Sequence, residues 1–157
     1  MAEMNQFRVV AWWASGRTGI AKSDSAPNAI HFTSAPAFGG VEGRWTPEDL
    51  LLSALASCYT ITFRTLAEYS KLEYTDLQVE VEGVIGKAAE MGYNFVELSV
   101  CVDLTIPQEA EQDRAIKLLH KAKDLCLISR ALAVKQIFKP VAKVTAPRLR
   151  DASKSFV

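Results

Sequence analysis

Residues 46–59 read Thr-Pro-Glu-Asp-Leu-Leu-Leu-Ser-Ala-Leu-Ala-Ser-Cys-Tyr, and this stretch predicts a long buried helix. The threonine is a good N-cap, the proline suits the first helical position, and Asp49 stands where a capping-box acid reaches back to the cap. From Leu50 to Cys58 only two serines interrupt the apolar residues. We therefore expect a helix to about Tyr69 with protein on several sides, either its own sheet or a partner subunit.

Strand patterns flank this helix on both sides and predict an α+β chain. Alternating or β-branched stretches and a second apolar helical stripe give the following elements: strands 7–13, 19–23 and 29–34 before the helix, then strands 77–86 and 94–106, a helix 108–125, a helical turn 129–133 and a strand 136–144. The order is β-β-β-α-β-β-α-β. We expect one domain over residues 1–147, followed by a polar tail over 148–157.

Two of the elements after the first helix are amphipathic. In strand 94–106 one face alternates with a polar face and carries six apolar residues: Val96, Leu98, Val100, Val102, Leu104 and Ile106. In helix 108–125 the apolar stripe extends to Cys126. Both patterns predict that the chain buries one face of a sheet and one face of a helix.

The composition excludes several classes of protein. Apolar residues make up 49% of the 157 residues, and 18 basic residues balance 18 acidic ones, which argues against disorder and against nucleic-acid binding. The N-terminus has no secretory pattern, and no stretch reaches the roughly 18 apolar residues of a membrane helix. We expect a cytoplasmic protein that does not contact a membrane, with its three cysteines as thiols at rest.

The cysteines are the candidate reactive groups. Cys101 falls on the polar face of a strand, whereas Cys58 and Cys126 fall on apolar helix faces, where a free cysteine is ordinarily a packing residue. A Cys-His hydrolase is disfavoured, because His31 falls on a short strand and His120 on a charged helix face. Close-spaced metal ligands such as Cys-x-x-Cys are missing from the sequence, so we expect no metal site.

The helix motif resembles the hallmark of the OsmC/Ohr family, in which a Pro-Glu pair at a helix start precedes a cysteine by ten residues. Here the pair is Pro47-Glu48 and the cysteine is Cys58. The sequence Ala-Lys-Asp-Leu-Cys-Leu-Ile-Ser-Arg-Ala-Leu around Cys126 is similar to the second cysteine motif, and the resemblance covers residues 5–145. It implies an OsmC/Ohr-like fold, with two antiparallel sheets around central helices in an intertwined homodimer.

The resemblance also implies site residues and an activity. By the resemblance, we expect Cys58 to be the peroxidatic cysteine of an organic hydroperoxide reductase and Cys126 to resolve its sulfenate as a disulfide. Arg17, in a Ser-Gly-Arg-Thr-Gly turn similar to that of the Ohr branch, pairs with Glu48 and activates the thiolate, and Arg44 is the alternative arginine. The resemblance further implies that the protein needs no bound cofactor, because an external dithiol, lipoyl-type in the Ohr branch, supplies the electrons.

Helix geometry adds a constraint on this site. Ten residues separate Glu48 from Cys58, which is about 15 Å along a helix axis. We expect each site to combine Cys58 and Cys126 of one chain with Arg17 and Glu48 of the other. The sequence leaves open a non-redox OsmC-like dimer that binds a small apolar ligand between its helices. It also leaves open the natural hydroperoxide, the reductant, and the effect of Leu127, which stands where the family often has proline.

Overall fold

The computed structural model describes residues 4–145, and its elements follow the predicted α+β order. They are β1 (Val9–Ser15), β2 (Thr18–Ser23), β3 (Ile30–Phe32), α1 (Pro47–Tyr69), β4 (Asp76–Ala88), β5 (Gly92–Ile106), α2 (Gln112–Leu125), α3 (Leu127–Ala131) and β6 (Gln136–Val144). Short 3-10 turns lie at Pro36–Phe38 and Glu109–Glu111. The tail predicted for 148–157 and the domain boundary at 147 lie outside the described residues.

The chain has two compact units, one ending at Leu52 and one beginning at Ser53. The N-terminal unit contains an antiparallel sheet of order β1-β2-β3, in which Trp12 pairs with Ile20 and an irregularity follows Trp13. Every residue of β1 is exposed, including two tryptophans. Because a protein surface rarely leaves so many large apolar side chains in water, this strand is a candidate for contact with another chain.

The C-terminal unit contains a sheet of order β4-β5-β6. β4 and β5 form the predicted antiparallel pair, with a register shift between Val84 and Ile85. β6 instead pairs parallel to β5, from Leu98 opposite Gln136 to Ile106 opposite Val144. The expectation of two antiparallel sheets was therefore wrong for this sheet, which is mixed. A helical connection returns the chain to the end where β5 began, and the next strand then runs in the same direction.

The first turn of α1 forms the predicted capping box. The Thr46 backbone N–H donates to Asp49 Oδ2 at 3.0 Å, and the Asp49 N–H donates to Thr46 Oγ1 at 3.1 Å. In the described part of the chain, however, only one stripe of α1 is fully buried, formed by residues four apart: Leu55, Tyr59, Phe63 and Ala67. Ile61, on another face, is 65% exposed. Residues 4–145 by themselves do not surround α1.

By length and composition α1 also meets the requirements for a membrane-crossing helix, with a mean hydropathy of 1.4 over its most apolar window. The expectation that no stretch is apolar enough was therefore too strict. The core helix of a soluble protein has the same composition when several of its faces are covered by protein.

The core of the C-terminal unit lies on one face of β5, as the alternation predicted. Its buried members are Leu98, Val100, Val102, Leu104 and Ile106, together with Ala115, Leu119, Ala122 and Cys126 from the second helix and its end. Val96 was placed on this face but is 53% exposed, because it is the unpaired residue of a β-bulge: Glu97 pairs with Val84 and Phe95 pairs with Ile85, so the alternation breaks at Val96. Tyr59 links α1 to this core, since its hydroxyl donates to the Leu119 carbonyl at 2.9 Å.

Candidate active site

Cys58 and Cys126, the two cysteines named from the sequence, lie side by side in the C-terminal unit. Cys58 is half-buried on α1, and Cys126 is fully buried between α2 and α3. Their side chains are within hydrogen-bonding reach of each other, and both are free thiols. The accessible sulfur therefore adjoins a protected one, an arrangement in which the first can react with a solute and the second with the product.

Cys126 occupies the break between two helices. Its backbone N–H donates to the Ala122 carbonyl at 2.9 Å and ends α2, while its own carbonyl accepts from the Arg130 N–H at 3.0 Å and begins α3. The residue itself is extended, with φ −61° and ψ 114°. This break brings the first peptide N–H groups of α3 close to both sulfurs.

The surroundings of Cys58 favour its thiolate. Burial raises the pKa of Cys58, but hydrogen bonds from the Ile128 N–H, the Cys126 thiol, the Leu127 N–H and the Thr62 hydroxyl outweigh burial, so the net pKa is lowered. The Thr62 hydroxyl also donates to the Cys58 carbonyl at 2.8 Å, and its single proton serves one acceptor at a time. The two peptide N–H groups, from the first turn of α3, lower the pKa of Cys58 beside it.

The surroundings of Cys126 favour its neutral thiol. Burial raises the pKa of Cys126, and the neighbouring Cys58 raises it further, although the N–H groups of Ser129 and Ile128 act in the opposite direction. The buried Tyr59 hydroxyl also has a raised pKa, first through burial and then through its electrostatic interaction with Cys126. The surroundings thus favour the negative charge on Cys58 and the proton on Cys126.

Sequence reasoning missed the donors that surround Cys58. They are backbone N–H groups, which every residue except proline carries, and no residue pattern identifies the ones that face a sulfur. The one available signal was Leu127. A proline there would have no N–H, so the departure from the family motif at this position adds a donor beside Cys58.

Arg17 lies in the N-terminal unit, at the tight turn between β1 and β2. Its guanidinium donates to the Gly39 carbonyl oxygen, and its own carbonyl accepts from the buried Thr33 hydroxyl at 2.8 Å. The alternative arginine, Arg44, donates to the adjacent Gly43 carbonyl at 3.4 Å. Both arginines are exposed.

Glu48 lies in the first turn of α1, and its Oε2 atom is buried without a hydrogen-bond partner within residues 4–145. The chain does not form the predicted ion pair between Arg17 and Glu48. The ion pair between Arg17 and Glu48 remains a prediction, as do the catalytic roles of Cys58, Cys126, Arg17 and Glu48. An unpaired buried carboxylate oxygen is costly, which makes Glu48 the polar group of this unit that most needs a donor.

Other candidate groups contribute less. Of five apolar residues that could line a substrate pocket, Leu55 and Tyr59 are fully buried in the core, whereas Phe38, Trp45 and Leu51 retain exposure. Cys101 is half-buried on β5, and its sulfur lies 3.9 Å from Ser99 Oγ. In the described part of the chain, no three His, Cys, Asp or Glu side chains gather as a metal site would require.

Comparison with known proteins identifies the family. A family model described as OsmC-like protein matches residues 40–138. The chain belongs to the OsmC-like family. This OsmC-like protein is also 33% identical over 132 residues to the uncharacterized protein YmaD of Bacillus subtilis, a match that covers 82% of this chain and 87% of YmaD. The resemblance drawn from the two cysteine motifs is confirmed.

Solved structures share the fold. An OsmC-like protein of unknown function from Vibrio cholerae superposes with a TM-score of 0.79 at 15% identity, covering 88% of this chain and all of that one. An organic hydroperoxide resistance protein OsmC from Legionella pneumophila gives 0.73 at 21% identity, with 91% and 100% covered. The organic hydroperoxide resistance protein OhrB of Bacillus subtilis gives 0.64 at 21% identity, with 88% and 98% covered. The predicted OsmC/Ohr-like fold is confirmed.

Proposed function

We propose that this OsmC-like protein reduces organic hydroperoxides to alcohols, with Cys58 as nucleophile and Cys126 as resolving cysteine. The observation that carries the proposal is the pairing of a half-buried Cys58 of lowered pKa with a fully buried Cys126 of raised pKa. A thiolate is the species that attacks a peroxide, and a protonated neighbour remains available for the following step. Family membership, which indicates peroxide-related redox chemistry, supports the same reading.

In the first step, the Cys58 thiolate attacks the terminal oxygen of the hydroperoxide. A sulfur–oxygen bond forms, the oxygen–oxygen bond breaks, and the alkoxide leaves and takes up a proton to become the alcohol. Cys58 becomes a sulfenic acid, oxidised by two electrons. The donors around the sulfur, chiefly the N–H groups of Ile128 and Leu127, hold the thiolate before attack and release it as the negative charge moves to the leaving oxygen.

In the second step, Cys126 attacks the Cys58 sulfenic acid. The disulfide forms, the sulfur–oxygen bond breaks, and the oxygen leaves as water after gaining the proton that Cys126 loses. An external dithiol then reduces the disulfide by exchange and becomes oxidised itself. A lipoyl-type dithiol suits this role, and the cycle needs no bound cofactor.

Arg17 and Glu48 complete the site from a second copy of the chain. Their proposed roles are to stabilise the Cys58 thiolate, to bind the peroxide through the guanidinium, and to hold that guanidinium in a bidentate pair with the carboxylate. The offset of about 15 Å along α1 between Glu48 and Cys58 supports a contribution in trans. The unpartnered Glu48 Oε2 and the exposed apolar face of β1 support a homodimer.

The proposed substrate is an alkyl or aryl hydroperoxide, and the proposed location is the cytoplasm. Cys58 lies on a helix whose other side chains are mostly apolar, and such surroundings favour an organic group over hydrogen peroxide. An odd and sparse set of three cysteines fits a compartment in which thiols stay reduced between turnovers.

Intact-mass analysis during titration with cumene hydroperoxide tests the proposal. We expect each chain to lose two hydrogens at one equivalent of peroxide, with Cys58 and Cys126 both lost to alkylation, and a dithiol to restore both. Hydrogen peroxide should react more slowly in a parallel titration. Retention of both thiols at excess peroxide would contradict the proposal and favour a dimer that binds an apolar ligand without redox chemistry.

A further inference from the structure

Three polar side chains form a hydrogen-bonded cluster that the proposed reaction does not use. The Lys123 ammonium donates to Ser129 Oγ at 2.6 Å, and Ser129 Oγ donates to Gln136 Oε1 at 2.6 Å. Gln136 Nε2 donates in return to the Ser129 carbonyl at 2.9 Å. We name Lys123, Ser129 and Gln136 the Ser129 clamp.

The Ser129 clamp joins three elements of the C-terminal unit. Lys123 lies in the last turn of α2, Ser129 lies in α3, and Gln136 is the first residue of β6, paired with Leu98 of β5. α3 has five residues, too few for a helix that is stable without outside contacts. The clamp therefore holds α3 between the end of one helix and the edge of the sheet.

The hydroxyl of Ser129 is fully engaged in the Ser129 clamp. Ser129 is 5% exposed, and its single proton goes to Gln136 while a lone pair accepts from the Lys123 ammonium. Removal of this hydroxyl leaves the partners' polar atoms without their bond in a half-buried place, at a cost in free energy.

We propose that the Ser129 clamp positions α3 so that its first peptide N–H groups face the sulfurs of Cys58 and Cys126. Lys123, Ser129 and Gln136 are then positioning residues for the proposed peroxidase reaction, on which this inference rests. The N–H groups concerned belong to Leu127, Ile128 and Ser129, all within the segment that the clamp holds. The titratable group that acts on each sulfur is the other cysteine, and Cys126 in turn raises the pKa of Tyr59.

The experiment measures alkylation of Cys58 by iodoacetamide in the reduced full-length protein between pH 5 and 10, a range chosen to bracket the ordinary thiol pKa of about 8.5. The rate is read by mass spectrometry of the Cys58 peptide. For Ser129→Ala we expect the midpoint at higher pH and a rate at neutral pH lower by about two- to tenfold, since a hydrogen bond contributes roughly 0.5–1.5 kcal/mol. Ser129→Thr, which keeps the hydroxyl, should restore the wild-type profile. Lys121→Met, a matched control at an exposed lysine of the same helix, should leave it unchanged.

Two outcomes overturn the inference. One is a folded Ser129→Ala protein with the wild-type profile. The other is an altered alkylation profile in Lys123→Met while Ser129→Ala and Gln136→Met keep the wild-type profile, which would indicate a direct effect of the lysine charge. If Ser129→Ala does not fold, Gln136→Met decides, because it removes the other arm of the clamp without a change of charge. Alkylation needs no peroxide, so the two proposals fail separately. An unchanged alkylation profile would contradict the clamp but not the proposed function. A wild-type protein that does not react with peroxide would contradict the proposed function, and the clamp could still be tested.

Discussion

The two halves of the proposed site differ in how completely one chain builds them. In the C-terminal unit, both sulfurs have hydrogen-bond partners, and the environment separates their pKa values in opposite directions. In the N-terminal unit, Arg17 donates to a loop carbonyl and Glu48 Oε2 has no partner within the described residues. The difference indicates that one chain supplies the surroundings of Cys58 and Cys126, the proposed nucleophilic half. We infer that the activating half, Arg17 and Glu48, becomes complete only against another chain.

The largest expected effect is the loss of peroxidase turnover, without loss of the fold, when the proposed nucleophile is removed. Cys58→Ser removes the attacking sulfur, so peroxidase turnover should fall to background while circular dichroism shows an intact fold. Cys101→Ser, at a half-buried cysteine outside the pair, is the matched control and should keep full activity. A Cys58→Ser protein that still turned over hydroperoxide would remove the basis of the comparison.

Glu48→Gln tests the activating half. It keeps the shape of the side chain but removes the charge that orients the guanidinium, and a charge-assisted hydrogen bond contributes about 1.5–3 kcal/mol. We expect kcat/KM for cumene hydroperoxide to fall about 10- to 100-fold, measured beside Glu68→Gln, an exposed glutamate of the same helix. Equal activities of the two variants would show that Glu48 is only a first-turn acid.

Cys126→Ser tests whether the second sulfur acts after the first. The first equivalent of peroxide should still react, but the Cys58 sulfenic acid has no partner and proceeds to sulfinic acid at high peroxide. Sustained turnover should drop by about tenfold, which corresponds to about 1.4 kcal/mol in the barrier. Mass spectrometry should find an added oxygen on Cys58 in place of a disulfide, and undiminished cycling without over-oxidation would contradict the assignment.

The smallest effect concerns the N–H of Leu127. Leu127→Pro suits the first position of α3 but removes one donor, so the pKa of Cys58 should rise toward that of an ordinary thiol. Because the thiolate forms as pH rises through this pKa, alkylation at neutral pH should slow by about two- to tenfold. Leu127→Ala keeps the N–H and loses a side chain that is 68% exposed, so it should behave as wild type. Identical profiles would show that this N–H does not act on Cys58.

The sequence predicted local features but not the contacts between residues that are far apart in the chain. The capping box at Thr46 and the strand over residues 136–144 follow from local chemistry and alternation, and both are confirmed. Alternation shows which residues share a face but not which way two strands run, so the parallel pairing of β6 was missed. The Ser129 clamp joins residues up to 13 positions apart, and no motif marks it.

The candidate site was predictable in its residues and not in its environment. The two motifs identified Cys58 and Cys126, and the structure brings them together. Their opposite pKa directions depend on burial and on peptide N–H groups, which only coordinates reveal. The contacts of Arg17 and Glu48 could not be inferred from the sequence. Within the described residues, Arg17 donates to the Gly39 carbonyl and Glu48 Oε2 has no hydrogen-bond partner.

Subunit complementation tests the central claim that each site draws on two chains. Cys58→Ser and Arg17→Ala proteins, unfolded, mixed in equal amounts and refolded, should form heterodimers in which both damaged residues fall in one site and the other site is wild type. About a quarter of the wild-type activity should appear, because about half of the dimers are mixed and each has one intact site. Mixed dimers verified by mass spectrometry but as inactive as their parents, or a fully active native monomer, would contradict the account.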